Sequence, residues 1–259
     1  MRIIAIIQAR LGSTRLSGKV LLDLKGKTVL EQVIDRVRAS RFIDDVIIAT
    51  TIIKEDLKIV KLCADHGIRV YCGSENDVLE RYYETARLFG ADHIVRITSD
   101  CPMIDPSIID DVIDLHLKEK ADYTSNTLKE TYPDGQDVEI FTFMSLKNAW
   151  KNAKLTSERE HVTPYIRNNP EFKLVNMECG EDMSNKRWTL DNSEDYEFIK
   201  IIFENLYDKN PLFSMEEIVK LINEKPEIER INENIDRNEG YKKSLREDRL
   251  LNSDNIQEK

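Results

Sequence analysis

Apolar residues along the first hundred positions recur with two alternating periods. Short runs rich in branched side chains, Ile3 to Gln8, Val46 to Thr50, Arg69 to Cys72 and His93 to Ile97, read as strands. The stretches between them carry helical spacing and recognisable starts. Thr28 with Glu31 opens a helix from Val29 to Ala39, and Asp77 with Glu80 opens one from Val78 to Phe89. Asp105 followed by Pro106 starts another that runs to about Lys118. Strands alternating with helices predict an α/β fold: an open, mainly parallel, Rossmann-like sheet with functional loops at the carboxyl ends of its strands.

The rhythm changes between Ala121 and Met177. Asp122 to Ser125 and Val138 to Thr142 read as strands around a Pro133-Asp134-Gly135 turn, followed by two helices and a further extended run from Phe172 to Met177. This predicts an inserted arm at 121–177 within a main unit spanning 1–224. Arg187 to Leu190 reads as a last strand. A helix near Glu194 to Tyr207 and another, capped by Ser214 with Glu217, close the unit. Beyond Lys225 the chain is rich in Glu, Asn, Lys and Arg with few core residues, which predicts a peripheral tail over 225–259, helical or partly disordered.

Composition narrows the class of function. Hydrophobic residues at 41% supply a core, and the formal net charge of −10 opposes a general affinity for nucleic acid or an anionic membrane surface. The run Ile3 to Ile7 is too short for a leader or a membrane span, so the chain reads as cytoplasmic, with no membrane insertion. Cys63, Cys72, Cys101 and Cys179 form no C-x-x-C pair, and His66, His93, His116 and His161 are scattered; all read first as structural.

The strongest chemical signal lies where the first strand ends. Residues 1–27 hold six basic side chains and one acid, a net of +5 inside an acidic chain. The loop carries Gly12, Ser13 and Gly18 among Arg10, Arg15 and Lys19. Glycines let backbone N–H groups approach phosphate oxygens, and the cations supply charge, so the loop suits a polyphosphate better than it suits a mere basic turn. It is not a P-loop, because Gly12 and Gly18 are separated by five residues and Lys19 is followed by Val20. Asp100 follows a strand, where a carboxylate can hold a hard cation against phosphate, although a helix-capping role is the commoner use of such an aspartate.

The run Ala9-Arg10-Leu11-Gly12-Ser13-Thr14-Arg15-Leu16-Ser17-Gly18-Lys19 closely resembles the opening of the cytidylyltransferases that activate acidic sugars. The resemblance continues along nearly the whole chain, and points to the spore coat polysaccharide branch of that superfamily. It runs through Gly73-Ser74-Glu75-Asn76-Asp77-Val78-Leu79-Glu80-Arg81-Tyr82 and Arg96-Ile97-Thr98-Ser99-Asp100-Cys101-Pro102. Further blocks are Tyr132-Pro133-Asp134-Gly135-Gln136-Asp137-Val138-Glu139, Glu158-Arg159-Glu160-His161-Val162-Thr163-Pro164-Tyr165 and Arg187-Trp188-Thr189-Leu190-Asp191. Ser17 stands where the family usually has proline.

The resemblance implies a nucleotide-diphospho-sugar transferase fold and transfer of CMP from CTP to a small acidic acceptor, with release of pyrophosphate. It implies Mg²⁺ on Asp100 and Asp191, and Arg10, Arg15, Lys19 and Asp100 as catalytic groups. Nucleotide contacts would come from Ala9, Arg10, Gly12, Ser13, Arg15, Lys19, Gly73, Ser74 and Arg81. Acceptor contacts would come from Arg96, Gln136, Asp137, Glu139 and His161, with alternatives open: a salt bridge for Arg96, a polar hairpin tip for Gln136 and Asp137, and packing for His161. Asp77 reads as a cap only, and Trp188 as core or pocket lining. Related synthetases pair subunits through such an arm, which implies a homodimer. Competing readings are a uridylyl- or guanylyltransferase for a sugar phosphate and a glycosyltransferase of similar fold, the latter disfavoured because no two aspartates are separated by a single residue.

Overall fold

The computed structural model describes residues 1–13, 15–235, 237 and 239–250. The chain opens with β1 (Ile3–Gln8), a loop and a short 3₁₀ turn at Lys19–Leu21. A two-stranded hairpin of β2 (Asp23–Leu24) and β3 (Lys27–Thr28) leads into α1 (Val29–Arg38). Then follow β4 (Asp45–Thr51), α2 (Leu57–Asp65), β5 (Arg69–Gly73), α3 (Val78–Phe89), β6 (His93–Thr98) and α4 (Pro106–Glu119). The caps at Thr28, Asp77 and Asp105 all form, each side chain accepting from a backbone N–H in the first turn of its helix. Helix α2 is absent from the sequence expectation; it is short, with only Ile59 and Cys63 buried, and starts without a side-chain cap.

The main sheet has the order β5-β4-β1-β6-β8-β7-β9, where β7 is Tyr123–Ser125, β8 is Glu139–Thr142 and β9 is Leu174–Asn176. Strand β1 pairs in parallel with both β4 and β6, so the chain winds outward through β4 and β5 and then returns to the other side of β1. Open sheets bind ligands at such a reversal, outside the carboxyl ends of the strands. The expected arm at 121–177 does not stand outside the sheet: it supplies β7, β8 and β9. Its altered rhythm reflects a change of pairing, since β8 runs antiparallel to both β6 and β7. Between β8 and β9 lie three helices rather than two, α5 (Phe143–Asn152), α6 (Thr156–His161) and α7 (Pro164–Asn168).

The period of two in β1 divides the core. Ile3, Ala5 and Ile7 pack with α1, α2 and α4 on one face, while Ile4 and Ile6 pack with α3 and α5 on the other. A third cluster joins α8 (Ser193–Leu206) and α9 (Met215–Glu224) around the fully buried Trp188, which is core rather than pocket lining. Arg187 to Leu190, expected as a strand, is not one: among the described residues it makes a single bridge, Arg187 with Asp134. The tail continues inward at Ile228 and ends in α10 (Glu239–Arg246); the part of the tail expectation at 251–259 lies outside the described residues.

Under the sheet, His93 Nδ1 lies 3.0 Å from His116 Nε2, and His116 Nδ1 lies 3.0 Å from Thr124 Oγ1. Burial, with His93 second, pushes the His116 imidazole down to about 4. The unfolded chain takes up that proton near pH 6.5, whereas the folded chain resists it, so stability falls as pH drops from about 6.5 to 4. Unfolding in urea across this window is expected to show a loss of roughly 3 kcal/mol from this group. His116→Gln should flatten the slope; an unchanged slope would place the proton uptake elsewhere.

Candidate active site

Three segments distant in sequence meet at the reversal point. The loop after β1 is fixed by its backbone: Ala9 N donates to Ala49 O, Leu11 O accepts from both Ser13 N and Gly18 N, and Leu16 N donates to Ser13 Oγ. Gly18 has a φ of 69°, a left-handed conformation that permits the immediate turn into Lys19–Leu21. The buried Asp56, just before α2, accepts from Leu11 N at 2.8 Å and from the Thr51 hydroxyl, and so pins the start of the loop. Nothing in the sequence pattern singled out Asp56, because its role exists only across the β1–β4 pair.

Lys19 is the centre of the arrangement. Its ammonium donates to Asp100 Oδ2 at 2.8 Å, Asp191 Oδ1 at 2.9 Å and Leu190 O at 2.7 Å, which uses all three of its protons. Burial disfavours this charge, but Asp100 and Asp191 outweigh it and the lysine pKa rises. Burial likewise pushes Asp100 up, and Lys19, together with hydrogen bonds from Thr98 and its own backbone, brings it to a net position below the ordinary carboxylate range.

The Asp191 side is held by a second network. Arg15 lies 2.8 Å from Asp191 Oδ1, and Arg187 donates to Asp191 Oδ2, Asp134 Oδ2 and both oxygens of the buried Asp195. Asp195 also accepts from Asp191 N and Asn192 N. Gly135, with a φ of 105°, lets Trp188 run against it: a Cβ there would sit 2.7 Å from the Trp188 carbonyl carbon. Leu190 N then donates to Asp100 O at 2.8 Å, which ties the two aspartates at the backbone as well.

Two connected compartments open from this junction. A cavity of about 700 Å³ is lined by Ala9, Arg10, Gly12, Ser13, Arg15, Lys19, Arg81, Asp100, His161 and Asp191, among others. A second, of about 360 Å³, shares Arg15, Asp100, His161 and Asp191 and extends to Arg96, Asp137, Glu139 and Arg167. In the larger one, Arg81 is buried with Nε and Nη1 lacking hydrogen-bond partners. In the smaller one, Arg96 pairs with Glu139 across the β6–β8 register, and Glu139 Oε2 accepts from Tyr123 and Thr163, each at 2.6 Å. Burial lifts Asp137 to about 7, against the opposing pull of Arg237.

The family model described as "Cytidylyltransferase" matches residues 4–235. The chain is 34% identical to spore coat polysaccharide biosynthesis protein SpsF of Bacillus subtilis, over 87% of this chain and 95% of that one. This chain belongs to the cytidylyltransferase family. It is accordingly a nucleotidyltransferase. It is also 41% identical to an uncharacterised protein of Methanocaldococcus jannaschii, over 91% of this chain and 96% of that one. The solved structure of a cytidylyltransferase from Leptospira borgpetersenii superposes with a TM-score of 0.85 at 35% identity, covering 91% of this chain and 98% of that one.

Within this cytidylyltransferase, the junction gathers most residues that the sequence singled out, but not all. Gly73 and Ser74 do not line the larger cavity. A Cβ on Gly73 would meet Tyr71 at 2.8 Å and the Arg81 Cγ at 3.0 Å, so this glycine makes room for Arg81, while Ser74 Oγ accepts from Asp77 N in the turn before α3. Gln136 is fully buried away from both compartments, where its amide joins Asp105 N and Met103 O. Arg167, Tyr241 and Glu130 line the smaller compartment and carried no sequence signal of their own, and Thr163 joins them from a block that carries the family resemblance. The tail, expected to be peripheral, contributes Gly240, Tyr241, Ser244 and Glu247 to the two cavities.

No group of three or more His, Cys, Asp or Glu positioned for a metal occurs among the described residues. The donor set that does exist is two carboxylates converging on one cation, which suits a hard ion that takes its remaining oxygen ligands from phosphate and water. Lys19→Ala should expose the repulsion that the ammonium relieves, with a loss of about 3 kcal/mol in urea unfolding at pH 7, as for other broken buried ion pairs. Adding Asp100→Asn to Lys19→Ala should recover part of that loss. Strict additivity of the two changes would dissolve the proposed coupling.

Proposed function

We propose that this enzyme transfers CMP from CTP to a small acidic sugar or related acceptor and releases pyrophosphate, in polysaccharide or surface-glycan biosynthesis. The observation that carries the reading is the convergence of Asp100 and Asp191 on a single cation where the two compartments join. CTP would occupy the larger compartment, its triphosphate along Arg10, Ser13 and Arg15 and its nucleoside towards Arg81. An unpaired, buried guanidinium such as that of Arg81 gains a partner when an oxygen-rich ligand enters. The acceptor would occupy the smaller compartment, with an anionic group facing Arg96 and Arg167 and hydroxyls facing Asp137 and Glu139. His161, at the boundary, would touch both.

In the reaction an acceptor oxygen forms a bond to the α-phosphorus while the bond from that phosphorus to the bridging oxygen of pyrophosphate breaks. Asp100 and Asp191 would hold Mg²⁺, which when bound neutralises phosphate oxygens and polarises the α-phosphate. Arg10, Arg15 and Lys19 would place positive charge along the leaving pyrophosphate, and Arg96 and Arg167 would keep the acceptor in line. Catalysis of this kind is chiefly positioning and electrostatics. The choice of CTP over UTP or GTP and the polysaccharide context rest on family membership and on the spore coat relative.

Pyrophosphate release is expected from CTP, in preference to UTP and GTP, only when acceptor and Mg²⁺ are both present, and EDTA should abolish it. Asp100→Asn should lower turnover by a factor on the order of 10² to 10³ while leaving CTP affinity within a few fold, as for an interaction realised mainly in the transition state. A rate that survives EDTA would remove the metal. A preference for UTP would favour the sugar-phosphate reading.

A homodimer through the 121–177 segment is part of the same proposal. Among the described residues strand β9 is an edge strand of the sheet, on whose outer side a second copy would pair. Light scattering at micromolar concentration should return twice the chain mass; the mass of a single chain would leave this edge without that role.

A further inference from the structure

The residues that complete both compartments include a segment lying wholly beyond 4–235, the stretch over which the family model matches. Helix α10 packs along α6 and carries Gly240 and Ser244 towards the larger cavity and Tyr241 towards the smaller. It is fastened at both ends. On one side, Arg237 donates to Tyr132 O at 2.9 Å and to Asp137 Oδ1 at 3.0 Å. On the other, Asp248 accepts from Ser157 N at 3.0 Å, Ser157 Oγ at 2.7 Å and Thr156 Oγ1 at 2.9 Å.

The second fastening answers a need in α6. Its N-cap position is Leu155, an apolar residue whose side chain cannot accept from the free N–H groups of the first turn. Asp248 performs that task from 91 residues away, and the main chain follows it: Thr156 N donates to Arg249 O at 3.0 Å, and Leu155 bridges Leu250. Between the two ends, Ser244 donates to Glu160 at 2.8 Å, and the Tyr241 ring meets His161 edge-on at 4.9 Å. The helix that contributes Thr156, Glu160 and His161 to the site is thus ordered by the segment that covers it.

We propose that Arg237 and residues 239–250 form a strap over the active site, latched by Arg237 and Asp248, which holds CTP in its compartment and sets Asp137 in the acceptor compartment. The proposal rests on the reading that the larger cavity takes CTP. Arg237 is a positioning residue: it touches Asp137, and Asp137 faces the acceptor. Asp248 acts through α6. Opening the strap removes Arg237 from a wall that already carries Glu130, Asp134, Asp137 and Glu139, so the closed form is the one in which these carboxylates are balanced.

The test uses the full chain, with amide hydrogen exchange and the dissociation of CTP followed by stopped flow. Asp248→Ala should speed exchange in α10 and the first turn of α6 roughly fivefold, the ordinary effect of losing a helix cap, and CTP should leave faster by a similar factor. Asp248→Asn keeps an oxygen that accepts from Ser157 N and should retain most of the protection and the slow release. Arg237→Ala should loosen α10 in the same way, and Arg237→Lys should restore it only in part because the forked contact to Tyr132 O and Asp137 needs a guanidinium. Unchanged exchange in β1 verifies the fold in each variant. Unchanged α10 exchange in Asp248→Ala overturns the latch, and a loosened α10 with wild-type CTP release overturns the strap's part in holding the nucleotide. A wild-type chain that binds no CTP overturns the functional reading and its coupling to the strap, and the exchange data then decide the latch alone.

Discussion

The ammonium of Lys19 joins three pieces of backbone that the sequence keeps 81 and 172 positions apart at their side-chain contacts. One proton goes to the loop after β6, one to the Asp191 side chain and one to the Leu190 carbonyl, so the loop after β1 cannot move without leaving two carboxylates facing each other. Each partner is supported in turn: Asp100 by Thr98 and by Leu190 N on its carbonyl, and Asp191 by Arg15 and Arg187. The cost of burying a lysine is offset by the two aspartates beside it, which together outweigh desolvation. This mutual dependence gives the site its shape, and it marks the point where a metal cation would compete with the ammonium for the same carboxylate oxygens.

From that junction the two compartments differ in how their charges are satisfied. The larger sets Arg10, Arg15, Lys19 and the incompletely bonded Arg81 against the carboxylates of Asp100, Glu160, Asp191 and Glu247. The smaller places Arg96 and Arg167 among Asp134, Asp137 and Glu139, a mixed lining that suits a ligand with one acidic group and several hydroxyls. His161, Gly240, Arg15, Asp100 and Asp191 line both compartments, so ligands held in the two would meet at these residues. Positioning of this sort needs stiff walls, and α6 with α10 is the part of the wall whose stiffness depends on contacts between residues 91 apart in sequence.

How much could be read in advance follows from how local each signal is. The strands β1, β4, β5 and β6 and the helices α1, α3 and α4 were legible because their side-chain periods and caps are contained within a few residues; Thr28 with Glu31 and Asp105 with Pro106 are examples. The cluster of glycines and cations after β1 was legible for the same reason, being contained in eleven consecutive positions. Segment 121–177 was set apart because antiparallel pairing breaks the strand-helix rhythm, although its strands lie in the same sheet. Sequence neighbourhood does not separate a residue beside these compartments from one that lines them: Gly73 gives Arg81 its space, and Gln136 fastens Asp105 and Met103.

The chain by itself determined the parallel half of the sheet, the position of the basic loop and the aspartates worth attention, since these depend on periodicity, capping and charge within short windows. Only the tertiary structure decided that Asp100 and Asp191 share one ammonium, that Asp56 pins the loop, and that Arg167, Arg237 and Tyr241 belong to the site. Those relations are made between strand ends and loops that the sheet order brings together. A hydrogen bond or ion pair depends on distance in space, and local periodicity carries no record of which distant loop will lie 3 Å away.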